Sequence, residues 1–123
     1  MSFNPKISAG VRRFPLPANP AQAAAASAAI ATTPGTVYGI WAYNGNVAAM
    51  WIQVFDAAAL PADAVNCLIQ QKAAIAGWVY FDFGPGGMRF FNGLFVCTST
   101  TATAKTIGAA DCQFLATYSL KPI

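Results

Sequence analysis

Histidine and glutamate are absent from this chain of 123 residues, and ionisable side chains of every kind make up only 9% of it. An ordinary soluble domain carries roughly 25%. Without imidazole, a serine or cysteine nucleophile has no usual base, and no motif supports a Ser–Lys substitute. The acids are Asp56, Asp63, Asp82 and Asp111. Asp56 and Asp82 fall at strand ends and could flank a cleft as a glycosidase pair does, but two solvated carboxylates are the simpler reading. Three cysteines, Cys67, Cys97 and Cys112, include no CxxC pair. Their odd number argues against a secreted disulfide framework, and without histidine they offer no zinc ligand set; they read as buried, reduced thiols. No catalytic residue, cofactor or metal is expected.

Basic residues are also few. Lys6, Arg12, Arg13, Lys72, Arg89, Lys105 and Lys121 give a net charge of +3 and are scattered except for the arginine pair. A nucleic-acid binder gathers phosphate-reaching side chains into a patch or stripe, so no nucleic-acid partner is expected. The alanine-rich stretch 22–31 after Arg12-Arg13 invites an export-signal reading. Pro15, Pro17 and Pro20 interrupt it, and its apolar run is too short to cross a bilayer, so no membrane partner is expected either. The run Gly84-Pro85-Gly86-Gly87 lacks a following lysine and opens no helix; it is a turn rather than a phosphate cradle.

What the chain does have is apolar and aromatic bulk, with 56% hydrophobic residues and 13% aromatic. Its length suits one domain with one sheet-on-sheet core. A surface so poor in charge is badly protected against association, which points to burial in an assembly.

Along the chain, residues 1–20 read as an extended arm. Pro5, Pro15, Pro17 and Pro20 exclude a helix or central strand, while Phe3, Ile7, Val11, Phe14 and Leu16 supply apolar anchors. The domain proper is expected over 21–123. Its first stretch, 21–31, reads as a small-residue strand, although alanine would also suit a short helix. The segments 36–44 and 47–56 are β-branched and aromatic, and Asn44-Gly45-Asn46 between them predicts a hairpin. A loop with Pro61, a short strand over 65–71 and a strand over 78–83 follow; in the last, Val79, Phe81 and Phe83 share one face. After the glycine turn, 88–91 and 94–98 read as strands around Asn92-Gly93, and 99–106 reads as a mobile-looking Thr/Ala loop. In 112–119, Phe114, Ala116 and Tyr118 face inward, and Leu115 breaks the pattern by facing out. Seven or eight antiparallel strands without a helix predict an all-β sandwich.

The runs VYGIWAYN, WIQVFDAAALPAD and FDFGPGGMRFFNGLFVCTST, with a final strand ending in TY, resemble a module of small bacteriophage virion structural proteins over residues 36–118. The linker between Pro61 and Trp78, with Cys67 and Gln70-Gln71-Lys72, departs from that pattern, and the arm lies outside it. The resemblance implies a jelly-roll-like β-sandwich without enzymatic activity. It implies a place in the virion, as a capsid decoration (cement) protein assembled in the host cytoplasm or as a tail, baseplate or fibre module. Expected partners are the major capsid protein, other virion proteins and copies of the chain itself, with a trimer as one form. Phe3, Val11, Arg12, Arg13, Phe14 and Leu16 are the candidate contact residues. Trp41, Trp51, Trp78 and Tyr80 are candidates for an exposed aromatic interface or, alternatively, a platform for host-surface glycans.

Overall fold

The computed structural model describes residues 11–14, 25–108 and 110–120. Every regular element among them is a strand: β1 (Arg12–Phe14), β2 (Ser27–Ala31), β3 (Gly35–Asn44), β4 (Met50–Phe55), β5 (Ile69–Ala73), β6 (Trp78–Asp82), β7 (Met88–Phe90), β8 (Leu94–Ser99) and β9 (Cys112–Leu120). They form two antiparallel sheets. The first has the order β1-β9-β3-β6, with β7 also on β3, and the second the order β2-β8-β4-β5. β6 lies opposite 39–43 of β3 and β7 opposite 35–37, so the two occupy one edge of β3 in succession and the glycine turn loops out between them.

The sheets bury their apolar faces against each other, as the two-residue period of each strand requires. Val37, Ile40 and Ala42 of β3, Val79 and Phe81 of β6, and Phe114 and Ala116 of β9 meet Ile52 and Val54 of β4 and Leu94 and Val96 of β8. The alternation in β6 and β9 matches the sequence reading. Two other expectations shift. The strand expected over 65–71 is Ile69–Ala73, with only an isolated bridge at Asn66 before it. Within the expected arm, Arg12–Phe14 is an edge strand on β9, next to Pro15, and Phe14 packs against the core. Apart from Val11, the rest of that arm, including Phe3 and Leu16, lies outside the described residues.

The expected hairpin of 36–44 with 47–56 does not form. β3 and β4 belong to different sheets and face each other across the core. The corner is held by the Asn44 side chain, which is fully buried. Its Nδ2 donates to the carbonyls of Ala48 (3.0 Å), Ala73 (3.1 Å) and Ala74 (3.2 Å), and its Oδ1 accepts from the Asn46 backbone N–H (2.9 Å). Gly45 N–H donates to Asp111 O at 3.0 Å. The turn is thus bound to the end of β5 and to the approach to β9, and the chain leaves one sheet for the other. A similar corner joins β7 to β8. There the Asp56 carboxylate accepts from the backbone N–H groups of Phe91 (2.8 Å), Asn92 (2.7 Å) and Gly93 (3.3 Å). A Cβ on Gly93 would lie 2.6 Å from Ala57 O and 2.7 Å from Ala31 O, so no other residue fits that corner.

The outer face of the second sheet is covered by two of its own loops. Phe55, Phe95 and Cys97 form a small second core there, with Ala57 and Cys67 against it. The segment 99–106, expected to be mobile, is fastened down. Gln53 Nε2 donates to Thr101 O (3.0 Å) and Ala102 O (2.8 Å). Backbone bonds Ala64 N to Lys105 O (2.7 Å), Lys105 N to Val65 O (2.8 Å) and Cys67 N to Thr103 O (3.0 Å) stitch this loop to the one before β5. Lys105, only 2% exposed, reaches Asp63 Oδ1 at 2.5 Å.

Replacing Asn44 by alanine leaves the Asn46 N–H and several carbonyls short of partners in a buried site. It is expected to lower unfolding free energy by about 2–3 kcal/mol in urea titrations. Asn44→Asp should be worse than alanine, because a carboxylate would face three carbonyl oxygens and cannot donate to them. At the loop clamp, Asp63→Ala strands a buried ammonium, whereas Lys105→Met removes the charge and keeps the packing. Asp63→Ala should therefore lower Tm more than Lys105→Met does. The hydrogen bond from Lys105, then that from Ile107 N–H, holds the Asp63 carboxyl below its ordinary value of 3.8. A carboxyl lowered by folding stabilises the fold at neutral pH, and that stabilisation fades as pH falls through the folded value. Wild-type Tm should thus drop on acidification below about pH 4 more steeply than that of Lys105→Met.

Candidate interaction surface

On the outer face of the β1-β9-β3-β6 sheet the strand registers put the side chains in rows across the strands. Gln113, Tyr43 and Trp78 form one row; Leu115, Trp41 and Tyr80 form the next; Arg13, Thr117, Gly39 and Asp82 form a third. Cross-strand neighbours on one face interact directly, and here they are rings. Trp41 and Tyr80 stack with centroids 4.6 Å apart and planes 22° apart, and Tyr43 and Trp78 lie 5.2 Å apart at 51°. Gly39 makes room for this stack: a Cβ there would meet Tyr80 Cε1 at 3.0 Å and Trp41 Cη2 at 3.1 Å.

Trp78 is 59% exposed, Tyr80 43% and Leu115 38%, so a continuous apolar patch reaches solvent. Beyond the third row the face dips into an open groove of about 500 Å³ lined by Val11, Tyr38, Gly84, Pro85 and Thr117. A bulge in β3 at Tyr38 turns that ring outward, where its hydroxyl lies 3.1 Å from Ser119 Oγ. Charge is confined to the rims. Arg13 stands on the β1 edge and Asp82 on the β6 edge, where its Oδ1 accepts from Gly84 N–H at 2.9 Å.

Of the four candidate aromatics, the structure brings Trp41, Trp78 and Tyr80 together and separates Trp51. Trp51 lies on the second sheet, half-buried, with the Lys72 ammonium 6.0 Å from its ring centre. Of the candidate contact residues, Val11 and Arg13 join the aromatic face as its β1 border. Arg12 and Phe14 alternate to the other side of that strand, Phe14 toward the core. Tyr43, Leu115 and Asp82 complete the surface. Leu115 was signalled by its off-pattern position and Gly39 by its place inside an aromatic run, but only the register assembles them.

The polar chemistry elsewhere is structural. Asp56 caps a corner, Asp63 holds Lys105, and Asp82 caps the glycine turn. Burial pushes the Cys97 thiol up to about 12 and raises those of Cys67 and Cys112, which favours the protonated thiol at neutral pH. Among the described residues no group of three or more Cys or Asp side chains could hold a metal ion. Comparison of the chain with protein-family models, with curated proteins and with solved structures gives no match in any of the three.

The exposed ring of Trp78 contributes to this surface and little to the core. Trp78→Ser is therefore expected to change unfolding free energy by less than about 1 kcal/mol, whereas Phe81→Ala, one strand face inward, should cost about 3–5 kcal/mol. Denaturant titration of the two variants checks the difference.

Proposed function

We propose that this chain is a non-enzymatic structural subunit of a bacteriophage particle, most simply a decoration (cement) protein that binds the major capsid lattice and stabilises it. The observation that carries this reading is the asymmetry of the sandwich. One sheet is covered by its own clamped loops, and the other presents Trp41, Tyr43, Trp78, Tyr80 and Leu115 with charge only at its borders. Tyr and Trp in an uncharged patch with a polar rim are the usual anchors of a protein–protein interface. The strand arrangement supports a jelly-roll reading as well: β1, β3, β6/β7 and β9 fall in one sheet and β2, β4, β5 and β8 in the other, so the chain winds back and forth across the core. The resemblance over 36–118 points to the same class.

In this reading the aromatic face is covered by a neighbouring subunit in the particle, and the N-terminal segment, with Phe3, Arg12 and Leu16, reaches the capsid lattice. Each contact is weak, and repetition by symmetry makes the whole stable. A glycan platform is less well served, because sugar stacking needs coplanar rings open to solvent and these rings face each other. The tail or fibre alternative differs from the shell in copy number.

The test is addition of the purified chain to particles assembled without it. Wild type is expected to co-sediment in hundreds of copies per particle, with Trp78 shielded from acrylamide quenching. Trp78→Asp should reduce binding at least tenfold. Copies numbering a dozen or fewer would move the protein to the tail, and a chain that stays free of all particles would overturn the reading.

A further inference from the structure

We infer that the aromatic face is the interface of a two-fold pair of this chain, in which Arg13 of each copy meets Asp82 of the other. The inference rests on the reading of this face as an interaction surface and names what covers it. Its basis is the third row, Arg13–Thr117–Gly39–Asp82, which takes one residue from each of the four strands and carries opposite charges at its two ends. The midpoint of the row falls between β9 and β3. Turning one copy over about an axis parallel to the strands through that midpoint reverses the strand order, so β1 lies over β6 of the partner and β9 over β3. Arg13 then faces the opposing Asp82 twice, once at each rim. The same operation sets Leu115 over the opposing Trp41 and Gln113 over the opposing Tyr43, with the Trp41 and Tyr80 rings that lie against Gly39 filling the centre.

A two-fold axis across the strands and along that same row would instead place β1 over β1, bringing the Arg13 side chains together and the Asp82 side chains together. Charge therefore selects the axis along the strands, because like charges opposed at an interface are strongly unfavourable. Such a contact uses the same patch on both copies and closes at two. Four strands about 4.8 Å apart and about 20 Å long give a face of roughly 400 Å² in projection, to which the protruding rings add. Counted over both copies that is below the standard size of specific interfaces, so the pair should be weak and transient. In a particle, weak pairing suffices, because it makes each lattice contact bivalent.

Sedimentation equilibrium of the full chain, from about 1 µM to about 1 mM, tests this. Wild type is expected to form pairs. Arg13→Asp alone and Asp82→Arg alone each create two like-charge contacts and should weaken pairing at least tenfold. An equimolar mixture of the two variants restores both opposite-charge contacts and should pair as wild type does. Should Asp82→Arg fail to fold because it removes the acceptor for Gly84 N–H, Asp82→Asn keeps that acceptor and should weaken pairing by a smaller factor. Wild type that remains single throughout, single variants that pair normally, or a mixture that stays single would each overturn the two-fold pair. If wild type remains single while Trp78→Asp still loses particle binding, the pair is overturned and the particle reading stands. If it pairs by these rules but binds no particle, the pair stands and the particle reading falls.

Discussion

The architecture turns on one buried carboxamide. Asn44 ends the longest strand inside the protein, where its unpaired polar atoms would be costly. It is satisfied by carbonyls and an amide from two separate stretches of chain, 46–48 and 73–74, and by the Cys112 thiol, which donates to its Oδ1 at 3.7 Å. Those partners cannot be reached if the chain folds straight back beside β3. They can be reached if it crosses to the other sheet. Once β4 lies in the second sheet, the edge of β3 is free for β6 and β7, and its other side for β9. The face that carries Trp41 and Tyr43 then stands beside Trp78 and Tyr80. The aromatic surface is thus a consequence of the corner. Asp56 does comparable work at the second crossing, with one carboxylate taking three backbone donors.

Much of the fold was legible in the sequence, and the failures have a common cause. The alternation of β6 and β9 survives in the structure because burial on one face imposes a two-residue period regardless of which strand lies alongside. The Asn44-Gly45-Asn46 signal was misread because local turn chemistry is the same for a hairpin and for a sheet-crossing corner. What separates them is the carbonyls of Ala73, Ala74 and Asp111, about thirty to seventy residues away in the chain. The loop 99–106 follows the same rule: its Thr/Ala composition carries no local sign of anchoring, and Asp63, distant in the chain, makes the burial of Lys105 tolerable. At the candidate surface, composition revealed an excess of rings, yet their grouping depends on register. Trp41 and Trp51 are ten residues apart on strands of similar pattern, and they end on opposite sides of the molecule.

The two outer faces solve the shortage of charge differently. On the second sheet the protein covers its own apolar side chains, clamping a loop with a buried ion pair and a glutamine that holds two carbonyls. On the first it stacks rings on one another over Gly39, which reduces the exposed apolar area but leaves Trp78, Tyr80 and Leu115 open. The loops over the second sheet still expose Leu60, Val65, Leu68 and Ile107, but they cover its strand face, whereas the aromatic strand face of the first is open. The function proposed here follows from that unevenness more than from any single residue.

The position of β9 has a further consequence. It lies between β1 and β3 in the first sheet, although it is made after every other strand described here. During synthesis, β3 has no neighbour on that side, and β1 has nothing to join, until β9 has emerged. Pairings of such long span form late, because loop closure must come first. The nascent chain therefore carries the long aromatic β3 with one side unpaired until the nine-residue β9 slots into the gap.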